Sequence, residues 1–178
     1  MDDTTRLLHE GEYLRLLRHD TWEYAERVRG TRAVIIVAVT PERNLLFVEQ
    51  YRVPLRARTI ELPAGLVGDT HDDDTLEAAA RRELLEETGW EAAEVRVLMA
   101  GPTSAGMSNE IIAFVRATGL RRVHSGGGDE SEDITVHEIP VDDAPRWLAA
   151  KMAEGLSMDP KLWAGLYLVD RDPDGSPA

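Results

Sequence analysis

Apolar residues recur with two different periods along this chain, and the two periods divide it into segments. Residues 33–39, AVIIVAV, are an unbroken and largely β-branched run between turn-forming residues. Such a run predicts a buried strand. Thr40-Pro41-Glu42-Arg43-Asn44 reads as a turn, and residues 45–53, LLFVEQYRV, as the partner strand. A short strand follows over 59–63 and leads into Ala64-Gly65, then a polar loop over 68–73. Residues 95–101 and 110–119 read as two further strands, and ITVHEIP at 134–140 alternates with a period of two. Residues 5–29 are strand-rich, with alternation broken near His19-Asp20.

The helical period is clearest at 75–88. Asp74 is placed to cap this helix, Glu77 sits three residues on as in a capping box, and Gly89 occupies the position after its last turn. Residues 142–154 and 160–169 predict two closing helices. The tail RDPDGSPA at 171–178 is expected to be disordered. Strands, one helix, more strands and terminal helices together predict an α/β or α+β sandwich.

Composition narrows the function classes. The chain has 178 residues, enough to bury about 70% of its unfolded surface without a disulfide or metal staple. It contains no cysteine, which excludes thiol catalysis, disulfides and Cys-ligated zinc. The five histidines, His9, His19, His71, His124 and His137, share no ligand spacing and suggest no zinc site. No apolar run approaches the ~20 residues that span a bilayer. The first twenty residues are charged throughout, so a cytoplasmic location is expected. Twenty basic residues against thirty-three acidic give a net charge of −13. That balance disfavours nucleic acid and anionic membranes as partners, because both require clustered Lys and Arg.

The acidity is not spread evenly. Residues 69–87 hold eight acids against two arginines, and residues 129–133 hold four acids with no basic residue. Within the first segment, Glu83, Glu86 and Glu87 stand at i, i+3 and i+4, on one face of the helix. Three like charges there repel one another. A divalent cation is the simplest group to offset them, since carboxylates are the preferred ligands of Mg²⁺ and Mn²⁺. The plainer alternative is a solvated acidic face paired with Arg81 and Arg82.

The stretch Arg82-Glu83-Leu84-Leu85-Glu86-Glu87-Thr88-Gly89-Trp90 resembles the Nudix box, G-x(5)-E-x(7)-R-E-U-x-E-E-x-G-U, where U is a bulky apolar residue. The resemblance implies that Glu83, Glu86 and Glu87 are metal ligands, that Arg82 braces the loop–helix–loop, and that Gly89 ends the helix. It also implies a Nudix-type α/β/α sandwich of mixed β-sheet with an N-terminal antiparallel β-region. Asp74 stands where the box has its first Glu. The box glycine can be Gly68, which keeps the five-residue spacing, or Gly65 in ELPAG (61–65), which implies a three-residue insertion. Gly65 is preferred, because Ala64 then supplies the backbone carbonyl that often completes the metal shell in this family.

The remainder is similar to the ADP-ribose pyrophosphatase branch, through Thr21-Trp22-Glu23, VEQYR (48–52), ELPAG, SAGMSNE (104–110) and DESEDI (129–134). This likeness implies a homodimer formed by residues 1–30, a Nudix domain over 31–170, and a small-molecule nucleotide substrate. It places Trp22 against the base at the dimer boundary, and Arg27, Arg52, Glu61 and Gly106 among the substrate contacts. For Trp22 the alternative is an ordinary interface tryptophan, and for each arginine a surface salt bridge. Glu130 is implied as the catalytic base, with Glu132 as metal ligand or replacement, on a loop whose preceding glycines would let it close and open.

One position departs from the branch, which typically has Pro sixteen residues after the box Gly; here it is Ala105. The SQPWPFP-like element of the NADH-cleaving branch is absent. The expected activity is Mg²⁺- or Mn²⁺-dependent hydrolysis of ADP-ribose or a related nucleoside diphosphate sugar, to AMP and ribose 5-phosphate in the first case. The alternatives are a Nudix pyrophosphatase for GDP-mannose or a dinucleotide, and a non-catalytic nucleotide-sugar-binding module.

Overall fold

A computed structural model of the chain describes residues 5–30, 32–68, 74–128 and 133–178. The N-terminal region is an antiparallel three-stranded sheet of β1 (Arg6–Glu10), β2 (Leu14–His19) and β3 (Trp22–Arg27). Two four-stranded mixed sheets follow. One has the order β7-β4-β9-β8, from β4 (Arg32–Ala38), β7 (Ala64–Val67), β8 (Trp90–Pro102) and β9 (Ile111–Arg122). The other has the order β10-β5-β6-β11, from β5 (Asn44–Arg52), β6 (Ala57–Glu61), β10 (Ile134–Pro140) and β11 (Ser157–Met158). The parallel pairs are β4–β9 and β6–β11. The helices are α1 (Leu76–Thr88), α2 (Ala144–Ala153) and α3 (Lys161–Leu168).

Strand β4 shows why the layers form. Its side chains alternate, so Val34, Ile36 and Ala38 join one core with Ala79, Ala80 and Leu84 of α1. Ile35 and Val37 join a second core with Leu148 of α2 and Leu162 and Leu168 of α3. An apolar run without polar alternation is what a strand between two helical layers requires. The result is an α/β/α sandwich of mixed sheet, the form that the Nudix resemblance implies.

Three local expectations change. The cap of α1 is Thr75, not Asp74: its side chain accepts the N–H of Ala78, and Asp74 turns instead to Arg82 at 3.5 Å. Strand β8 begins at Trp90, five residues earlier than predicted, because its full length pairs with β9 across a bulge at Val97/Met99. The tail is not disordered. Arg171 bridges Pro177, and Asp172 lies between Arg96, at 2.5 Å, and Arg116, at 2.8 Å. Hydrogen bonds from Arg96 and Arg116 hold the Asp172 carboxyl at a pKa of about 2.

Candidate active site

The acidic face of α1 meets the end of β6 and the start of β7. Gly65 lets them approach: a Cβ built there would lie 1.9 Å from Glu83 Cδ and 2.1 Å from Glu83 Cγ. Gly65 therefore fits the role of box glycine by close packing, while Gly68 adopts φ +81° at the end of β7. Glu87 is 4% exposed, and its Oε2 accepts the N–H of Ala64 at 3.0 Å. Arg82 donates to Glu83 Oε1 at 2.7 Å and to the Leu66 carbonyl at 3.2 Å, tying α1 to β7. The same guanidinium lies 3.5 Å from both Asp74 and Glu86.

One guanidinium thus faces three carboxylates, with Glu87 close by on the same helix face. Glu86 is the open member, its side chain 51% exposed. Hard carboxylate oxygens of this kind suit Mg²⁺ or Mn²⁺. Among the described residues, no three His, Asp or Glu side chains converge into a ready-made cage. The physical reason is visible: Glu83 is turned to Arg82 and Glu87 to Ala64 N–H. The donor chemistry fits a divalent ion, and Glu83 and Glu86 would exchange part of their contact with Arg82 for it.

Gly89 ends α1 with φ +75°, its N–H donating to the Leu85 carbonyl. The glycines before the acidic loop have a different role from the one expected. Gly127 and Gly128 donate their N–H groups to the carbonyls of Glu87 and Glu86, at 2.8 and 3.1 Å. A Cβ on Gly126 would meet Thr88 C at 2.4 Å. Residues 126–128 therefore anchor the loop to the last turn of α1 and satisfy carbonyls that a helix end leaves unpaired. Glu130 and Glu132 lie outside the described residues.

The other candidate residues form two groups. Arg52, at the end of β5, makes a two-pronged pair with Glu61 of β6, at 2.7 and 2.6 Å. Hydrogen bonding to Glu61 holds the Arg52 guanidinium above its ordinary pKa against the opposing effect of burial, and the charges of Glu87 and Asp159 add to the shift. Arg52 and Glu61 thus belong to the electrostatic neighbourhood of α1. Trp22, Arg27 and Gly106 gather elsewhere, where β3 meets the loop 103–110. Trp22 is 62% exposed, and a Cβ on Gly106 would stand 4.0 Å from its ring. Arg27 donates to Glu110 at 2.6 Å. Burial acts to raise the Glu110 carboxyl, but hydrogen bonds from Arg27 and Thr103 outweigh it and hold it below the ordinary glutamate range.

Sequence reasoning passed over Thr59. Its hydroxyl is buried on β6 beside Arg52 and Glu61, and among the described residues it has no hydrogen-bond partner. A threonine in a strand carries no local signal of that kind, since β-branching alone accounts for it.

A model of the NUDIX domain matches residues 29–158. The chain belongs to the Nudix family. Among relatives of this Nudix protein, a methanol dehydrogenase activator from Bacillus methanolicus is 37% identical over 127 residues, which is 71% of this chain and 67% of that one. A GDP-mannose pyrophosphatase from Escherichia coli K12 is 36% identical over 124 residues, 65% of this chain and 63% of that one. The chain thus matches less than two thirds of the pyrophosphatase's length. The crystal structure of an ADP compounds hydrolase superposes with a TM-score of 0.67 at 20% identity, covering 93% of this chain and 89% of that one. At that identity the likeness establishes the fold, which is the Nudix-type sandwich.

Proposed function

We propose that this Nudix-family chain is a divalent-metal-dependent pyrophosphohydrolase, acting as a cytoplasmic homodimer. It cleaves the diphosphate of a nucleoside diphosphate sugar to a nucleoside monophosphate and a sugar phosphate. Mg²⁺ is the proposed ion, with Mn²⁺ able to replace it. The observation that carries the reading is the single acidic face of Glu83, Glu86 and Glu87, braced by Arg82 and approached at Gly65 without an intervening side chain.

Glu83, Glu86, Glu87 and the Ala64 carbonyl would hold the divalent ion, which would supply charge neutralisation for the diphosphate and a more acidic water. Arg52, kept charged and oriented by Glu61, binds a phosphate oxygen. Glu130 takes the proton of the attacking water, with Glu132 as an additional ligand or substitute base. The water oxygen bonds to one phosphorus, and the bridging oxygen leaves with the other phosphate. Trp22 stacks on the base, with Arg27 and Gly106 beside it, at a boundary between two copies. Exposed apolar side chains on the N-terminal sheet (Leu7, Leu14 and Leu16), with Tyr13 in the turn between β1 and β2, support that boundary.

ADP-ribose is the leading substrate. A second reading, GDP-mannose, is favoured by the relatives that carry that name and by Ala105 in place of the branch's proline. A panel assay of both sugars and a dinucleotide, reading released monophosphate with Mg²⁺, Mn²⁺ and a chelator, tests the proposal. Metal-dependent cleavage of a nucleotide sugar is expected, together with large losses of rate in Glu130→Gln. If no member of the panel is cleaved with either metal, the enzymatic reading fails. A full rate in Glu130→Gln with a lost rate in Glu132→Gln would move the base to Glu132.

A further inference from the structure

Four arginines gather around one cavity of about 630 Å³, in a chain whose net charge is −13. Arg43 comes from the turn after β4, Arg81 from α1, Arg96 from β8 and Arg116 from β9. Among the described residues, two acidic side chains, Glu94 and Asp170, share the lining. The cavity lies apart from the proposed active site. Val34 of β4 pairs with Gly65 there, whereas Val37, which borders the cavity, stands farther along the same strand. At 3.3 Å per residue the two valines are about 10 Å apart.

This arrangement needs an anion. Arg96 and Arg116 are direct partners in the β8–β9 register, and like charges directly opposite destabilise a strand pair. The Arg116 side chain is 10% exposed, so water does little to offset its charge. Asp172 relieves both arginines by accepting hydrogen bonds from each. Asp170 accepts two from Arg43 in the same way, at 2.8 and 3.0 Å. Oxyanions are thus already seated on these guanidiniums, and the chain's own segment 170–172 supplies them. Anchoring that segment accounts for three of the arginines and leaves Arg81 unexplained. Its guanidinium donates to the carbonyls of Ala92 and Ala93, and among the described residues it has no ion-pair partner. Anchoring also leaves the cavity itself without a purpose.

The donors converge from four separate elements. A carboxylate is planar and presents two oxygens, whereas a phosphate monoester presents three acceptor oxygens in different directions. Guanidiniums match such oxygens well. Val37, Ala117 and Val169 add an apolar wall for a carbon body. No aromatic side chain borders the cavity, so it offers no stacking surface for a base.

We propose that this cavity is a second, non-catalytic site that binds a small organic phosphate on Arg81 and on the arginines held by Asp170 and Asp172. The ligand competes with those two carboxylates. The inference does not depend on the hydrolase reading, because none of these residues belongs to the proposed metal or diphosphate site.

The test titrates the full chain calorimetrically in chelator, so that no divalent ion bridges a phosphate to α1. The probes are glycerol 3-phosphate, glycerate as a carboxylate of similar size, and uncharged glycerol, at constant ionic strength. Glycerol 3-phosphate is expected to bind wild type saturably, glycerate at least tenfold more weakly, and glycerol not at all. Arg81→Gln and Arg96→Gln are each expected to weaken glycerol 3-phosphate by about tenfold or more, as for loss of a charged hydrogen bond. Arg96 is more than half exposed, so its replacement leaves the fold intact. Arg52→Gln, at the proposed diphosphate site, is expected to bind as wild type does. Asp172→Asn removes the resident carboxylate. It is expected to bind glycerol 3-phosphate several-fold more tightly, to melt lower without ligand, and to gain more melting temperature from the ligand than wild type gains. Absence of saturable binding in wild type overturns the proposal, as does equal binding in wild type, Arg81→Gln and Arg96→Gln. Binding abolished by Arg52→Gln would place the ligand in the diphosphate site and overturn it too. Equal affinity for glycerate would overturn the phosphate assignment, and unchanged affinity in Asp172→Asn would overturn the competition.

Discussion

Glu86→Gln is expected to lower turnover on the order of 10³-fold without harming the fold, since a divalent ion contributes several kcal/mol of charge stabilisation to phosphate chemistry. The site geometry separates the two effects. The Glu86 side chain is half exposed, and its ion-pair partner, Arg82, is 3.5 Å away and already bonded to Glu83. Glutamine keeps the shape and removes one of three like charges on a helix face. Relief of that repulsion is worth about 0.2–0.5 kcal/mol, so the melting temperature should hold or rise slightly. Activity and thermal stability measured on the same preparation check both parts. Equal rates for Glu86→Gln and wild type would remove Glu86 from the metal set. A lost rate with a lowered melting temperature would show that it acts through the fold.

Gly126→Ala is expected to lose about 3 kcal/mol of stability and most of the activity together, through overpacking against rigid backbone and a left-handed conformation. Gly126 has φ +74°, and its Cβ would meet Thr88 C at 2.4 Å and the Glu87 carbonyl oxygen at 2.6 Å. Backbone atoms cannot swing aside as a side chain can. Relief would require residues 126–128 to leave the end of α1, breaking the bonds from Gly127 and Gly128 to the carbonyls of Glu87 and Glu86. Those carbonyls belong to two of the proposed metal ligands. Denaturant unfolding and kcat at a permissive temperature read the two losses. A fully active, fully stable variant would show that the anchor is dispensable.

What could be read from the sequence was what depends on neighbours along the chain. Ile134–Pro140 alternates cleanly and forms a strand over those same seven residues. The 33–39 run had to be covered on both faces, and α1 and the α2–α3 pair cover it. The acidic face of α1 follows from helical spacing alone, and Arg82 could be placed as its brace through the family motif. Contacts across the chain were not legible. Thr75 and Asp74 are both good cap formers, and the choice turns on Arg82 drawing Asp74 away. The tail is held because Asp172 meets Arg96 and Arg116, each more than fifty residues distant. The glycine run signals freedom locally, but its packing against Thr88 turns that freedom into close approach. Thr59 is hidden for the same reason, since its lack of a partner among the described residues emerges only when β5, β6 and β11 are side by side.

The acidity that argued against nucleic acid and membranes takes on a second meaning in this light. A substrate with two phosphates meets carboxylates on α1, and a divalent ion between them reconciles the charges. Titration of the chain with Mn²⁺, followed by the electron paramagnetic resonance signal of the free ion, tests that claim most directly. The expected result is saturable binding that Mg²⁺ displaces and that Glu86→Gln weakens at least tenfold. Binding of equal strength in wild type and Glu86→Gln, or none in wild type with a nucleotide sugar present, would contradict it.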